Sequence, residues 1–249
     1  WLMPERLQRL QQELGPSVEL LRLAGLLNKV LAYWVRVELA AEMAASLSWP
    51  EQERKQEIDR REEAWLAKHD PASWGLDAAQ LRKKLLVAPA CDRWARQQWQ
   101  HRLESLYLER KDQLDRASCR LLRIGEKHLA LELFHRLRAG EDTFEQLSFA
   151  HGEGPERANG GLLPLQPLTK LPYGLAPVLR NLKQGELTQP QAFGKGFAMV
   201  QLERFEPAPL DHAAEEFLLA QELNAWILSV VERVQGHLIL ATSPQAADL

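Results

Sequence analysis

The feature that most constrains this chain is a change of hydrophobic period near Arg116. Up to about Leu114 apolar residues recur every three to four positions, the spacing of one helix face. The steps Leu20, Leu23, Leu27, Leu31 and Trp34 are an example, and they predict one long helix opened by Ser17. Beyond Arg116 the pattern becomes strand, helix, helix, strand, helix, strand, strand. Strands and helices that are segregated in this way predict an α+β fold, with four strands able to form one small sheet.

Local signals punctuate the helical part. A short helix over about 4–14 stops at Gly15-Pro16. Ser48, Pro50 and Glu51 have the spacing of a capping box and predict a charged helix to about Lys68. Trp74-Gly75 breaks the chain, a helix is expected over about 77–86, and Pro89 is expected to begin another that reaches toward Gln113. Seven of the eight tryptophans precede residue 100. They suit a helix-packing core or an apolar groove for extended peptide, and the sequence leaves both open.

In the second part Ala117–Ile124 reads as a strand, followed by a helix that ends at Gly140 as its left-handed cap. Thr143 and Gln146 form a second capping box. After a glycine-containing loop over 151–161 come a strand near 162–165, a helix near 175–182, and strands near 189–193 and 197–205 around Gly194-Lys195-Gly196. Asp211 is placed to cap a last helix running to about Gly236.

This segment resembles the parvulin-type peptidyl-prolyl isomerases. Ala130-Leu-Glu-Leu-Phe-His-Arg-Leu-Arg-Ala-Gly-Glu-Asp-Thr-Phe144 is similar to the family's helix, glycine turn and following aromatic. Asn159-Gly-Gly-Leu-Leu163 resembles its glycine pair, although the third glycine of that word is replaced near Pro164. Leu182-Lys-Gln-Gly-Glu-Leu-Thr-Gln-Pro190 and Gly196-Phe-Ala-Met-Val200 follow in the family's order. The resemblance implies a helical region over 1–115, a parvulin-like domain over 116–206, and a C-terminal segment over 207–249 packing on the helical region. The helical flanks resemble parvulin-bearing foldases that hold client polypeptides.

It also implies a site. The family sets an apolar proline pocket beside two histidines, a Cys or Asp, and a hydroxyl residue. Here the first-strand histidine position falls at Leu121, or at Cys119 with a two-residue shift; the others fall at Gly154, Ala198 and Phe193. None of these side chains supplies the donors and acceptors of an imidazole pair. The pocket positions fall at Leu171 and Leu175, with Tyr173, Phe193 and Met199 as further wall candidates. Leu171 and Leu175 suit a pocket or a core equally. Three readings follow: a module binding extended or Pro-containing polypeptide with little catalysis, an active isomerase with an apolar groove, or an assembly protein docking a dedicated partner.

Composition narrows the alternatives. A net charge of −3 gives no field that would draw the chain to nucleic acid. Two separated cysteines, Cys91 and Cys119, make a disulfide framework or Cys-rich metal site improbable. No phosphate loop or metal-ligand spacing occurs, so neither cofactor nor metal is expected. Charges at Glu19, Arg22, Lys29, Arg36, Glu38 and Glu42 interrupt the long apolar stretch, which excludes it as a membrane span. No basic stretch followed by an apolar run opens the sequence, so a cytoplasmic location is the expectation.

Overall fold

The change of period at Arg116 marks the first strand of a four-stranded antiparallel sheet in the computed structural model, which describes residues 1–242. The last residues of the expected 207–249 segment, 243–249, lie outside the described residues. The fold is α+β: an all-helical N-terminal region, a small four-stranded domain and a C-terminal helix. Two compact units divide it, one of residues 1–103 with the chain from Glu215, the other of residues 104–214. The division falls outside the sheet on both sides, so the short helix at Lys111–Leu114 and all but the first residue of the one at Leu103–Glu109 belong to the unit of the sheet.

The helical unit contains α1 (Pro4–Leu14), α2 (Val18–Leu23), α3 (Leu27–Ala45), α4 (Glu51–Leu66) and α5 (Ala78–Trp99). The helix expected from Ser17 onward is broken in two. Gly25 takes φ +68, so α2 and α3 do not share a face, and Leu20 and Leu23 are exposed while Leu27 and Leu31 are buried. Ser48 does not cap α4 either: Pro50 holds the cap position, and the Ser48 hydroxyl bonds to Ser46 and Gln97. Pro89 lies inside α5, which runs unbroken from its capping box at Asp77 and Gln80. A proline there sacrifices a backbone hydrogen bond; Pro89, Ala90, Cys91 and Trp94 are all buried, and that packing outweighs the loss. The rings of Trp1, Trp34 and Trp94 meet around Trp226 or one another at 4.6–6.1 Å, as core residues do.

In the sheet unit those two short helices (α6 and α7) lead into β1 (Arg116–Ile124), α8 (Lys127–Ala139), α9 (Phe144–His151), β2 (Leu162–Pro167), α10 (Ala176–Asn181), β3 (Gln191–Phe193) and β4 (Gly196–Glu206). The strand order is β2-β1-β4-β3. Pro164 is tolerated in β2 because that strand lies at the sheet edge. Gly140 ends α8 at φ +72, and Thr143 and Gln146 make both bonds of the capping box that opens α9. The last helix, α11 (His212–Thr242), begins where the Asp211 carboxylate accepts the Ala214 N–H at 2.9 Å.

Period two divides the sheet residues between its faces. Leu122, Ile124 and Met199 face α8 and α9, packing on Leu133, Phe134, Phe144 and Leu147. Ala117, Cys119 and Leu121 with Ala198, Val200 and Leu202 face the turns over 168–174 and α10, where Leu168, Leu171, Leu175 and Leu179 cover them. A buried carboxylate anchors this second cover. Asp115 accepts the Ala208 N–H at 2.9 Å and Arg180 Nη1 at 2.8 Å, with Lys111 Nζ 3.4 Å away.

Candidate functional site

The candidate positions converge on that second face. Leu121 is fully buried, Ala198 is 7% exposed, and both belong to one apolar cluster, against which Phe193 packs partly exposed. Their register explains the convergence: Leu121 lies opposite Val200, and Ala198 lies between Arg123 on β1 and Gln191 on β3. Cys119, the alternative first-strand position, is in the same cluster, where burial pushes its thiol up to about 12. It is a neutral packing group at ordinary pH.

The wall candidates separate. Leu171 and Leu175 are 6% and 4% exposed and pack in the apolar cluster under the turns. Tyr173 is half-exposed at the rim and meets Phe193 edge to face, with ring centroids 5.1 Å apart. Met199 does not join them. It is fully buried on the opposite face under α8 and α9, because it lies one residue along β4 from Ala198.

At the end of this face stands a charged group that sequence reasoning passed over. Arg123 continues the row 117, 119, 121 along β1, and that alternation was the signal that could have found it. Its Nε donates to Glu156 Oε1 at 2.7 Å and its Nη2 to Oε2 at 3.1 Å, a bidentate pair. The bond to Glu156 raises the guanidinium further above its ordinary range, so Arg123 is permanently cationic. Gly154, where the family's Cys or Asp falls, leaves the space for this pair: any side chain there would fall within it. Glu153, one residue before Gly154, ties the loop to the end of β1. Its N–H donates to the Arg123 carbonyl at 3.1 Å, and its carboxylate accepts the Gly125 N–H at 2.8 Å. A cavity of 270 Å³ opens beside these groups, lined by Arg123, Glu153, Phe193, Lys195 and the backbone of Gly194 and Gly196 among others.

Residues 124–204 match the Rotamase family, a PPIC-type PPIASE domain. Over this segment the chain has a rotamase-like domain. The chaperone SurA of Alcanivorax borkumensis is 40% identical over 73 residues, which are 29% of this chain and 17% of that protein. The match therefore spans less than a fifth of that relative's length. Among solved structures, peptidylprolyl isomerase PrsA from Bacillus cereus is 14% identical with a TM-score of 0.44, covering 97% of this chain and 86% of that one. The foldase PrsA from Streptococcus pneumoniae is 12% identical with a TM-score of 0.42, covering 95% and 89%. Within the matched segment the Arg123–Glu156 pair stands beside the apolar cluster that holds Leu121 and Ala198. Among the described residues, no helix is long and apolar enough to cross a membrane.

Proposed function

We propose that the rotamase domain holds extended, proline-containing polypeptide in a chaperone-like role, with little or no catalysis of its isomerisation. One observation carries this reading: Leu121 and Ala198 stand in an apolar cluster, and Tyr173 and Phe193 form an aromatic rim above it. Rotation about a peptide bond faces a barrier of about 18–20 kcal/mol from lost resonance, and a catalyst must favour the twisted amide over the planar one. An aromatic rim over leucines contacts a proline ring equally well in both, which is binding without acceleration. The family match over 124–204 favours a second reading, in which desolvation of the amide alone lowers the barrier.

Titration of the ¹⁵N-labelled protein with a short Pro-containing peptide tests the reading. Saturable shifts at Arg123, Tyr173 and Phe193 are expected. Resonances that stay unmoved at millimolar peptide would contradict it.

A further inference from the structure

Arg123 and Glu156 are more than packing requires. The Glu156 side chain is 4% exposed and that of Arg123 is 22% exposed, so an acid is withdrawn from water to hold a base at the rim of a leucine cluster. Apolar residues of similar volume could replace such a pair without loss of stability. The surroundings are shaped around it. Gly154 clears its space, and the Tyr173 ring lies 4.8 Å from the guanidinium carbon. Tyr173 reaches that place in the left-handed region, at φ 63 and ψ 20, a strained conformation for a tyrosine that persists where surroundings impose it.

The chemistry of the ligand follows from what an X-Pro unit offers. Proline has no N–H, so the polar handle of the bond is the carbonyl oxygen of the residue before it. Recognition requires a donor, and a guanidinium has five N–H donors and no acceptor. Glu156 engages two N–H groups, on Nε and Nη2, and fixes the plane of the fork. We propose that Arg123 is a binding residue that donates to the carbonyl oxygen preceding proline, and that Glu156 is its positioning residue. The inference rests on the peptide-binding reading above and adds a direction to it. A donor on an amide oxygen draws charge onto that oxygen and strengthens the C–N double-bond character, which stabilises the planar amide over the twisted one. Arg123 therefore holds the bond in place and slows its rotation.

The test compares a Pro-containing peptide with its analogue carrying a thioamide before proline, a weaker acceptor. Wild-type protein should bind the thioamide about tenfold more weakly, a difference of about 1.4 kcal/mol. The double variant Arg123→Met/Glu156→Met removes both charges, so that neither is left buried alone, and should bind the two peptides equally. Arg123→Lys keeps the charge opposite Glu156 but loses the fork, and should lose most of the discrimination if the double variant does not fold. Equal binding of both peptides by wild type, or wild-type discrimination in both variants, would overturn the inference while leaving peptide binding intact. Wild-type protein that binds neither peptide would overturn the binding reading and this inference with it.

Discussion

The two faces of the sheet have been covered in different ways. Over Leu122, Ile124 and Met199 lie α8 and α9, each ended or opened by its own local signal, Gly140 for one and the Thr143 box for the other. Over Leu121, Ala198 and Val200 lie short turns and the six-residue α10, held down by Asp115 and Arg180. Regular helices seal a sheet and leave little at the edge. Short turns let the backbone enter conformations such as that of Tyr173, and they leave an aromatic rim and a partly exposed guanidinium, that of Arg123, at the edge. Binding residues concentrate on irregular segments carried by a rigid scaffold for the same reason.

Substitutions that act on one face alone test this contrast. The largest effect is expected where the irregular cover is anchored. Arg180→Ala leaves the Asp115 carboxylate, itself fully buried, with the Ala208 N–H and the more distant Lys111 ammonium, and should cost about 3–5 kcal/mol. All eight tryptophans lie outside residues 104–214, so the loss should be seen in amide exchange of the sheet strands while tryptophan fluorescence unfolding is unchanged.

Next come two truncations on opposite faces. Leu122→Ala, on the helix-covered face, should cost about 2–5 kcal/mol of stability, and the folded protein should bind peptide normally. Phe193→Ala, on the rim, should change stability by under about 1 kcal/mol and weaken peptide binding severalfold. Calorimetry of unfolding and a peptide titration on each variant check the pair. Equal effects of both on binding would remove the distinction between the faces.

The smallest effect concerns Cys119 beneath the turns. An unfolded cysteine titrates near 8.5, whereas burial holds this one at about 12. A raised thiol contributes stability that is fully present below about pH 8.5 and is lost as pH rises toward 12. Native protein at pH 8 should therefore alkylate at Cys119 only as fast as the sheet opens. Rapid labelling by iodoacetamide, resolved by peptide mass, would show that the turns do not seal this face.

Much of the sheet unit was legible because its signals are local. Gly140, Thr143, Asp211 and the Gly194–Gly196 turn each act on the residues beside them, and each does so in the structure. In the helical unit tertiary contacts decide. Ser48 has a capping sequence but finds Ser46 and Gln97, Pro89 is carried through α5 by packing, and Gly25 breaks a periodicity that looked continuous. At the candidate site the alternation that put Leu121 on the inner face also put Arg123 there. Its partner Glu156 lies 33 residues on, in a loop without periodicity, so no spacing could have joined them. Met199 was misplaced by a single step along β4, which is all that separates the two faces.

The most direct test is exchange NMR on a Pro-containing peptide with substoichiometric and then saturating protein. Uncatalysed isomerisation takes tens to hundreds of seconds, so exchange cross-peaks are absent from the free peptide on the NMR mixing timescale. Peptide resonances should shift or broaden with added protein while no cis–trans cross-peak appears. Cross-peaks that grow in proportion to protein would contradict it and make this rotamase domain a working isomerase without the family's histidines.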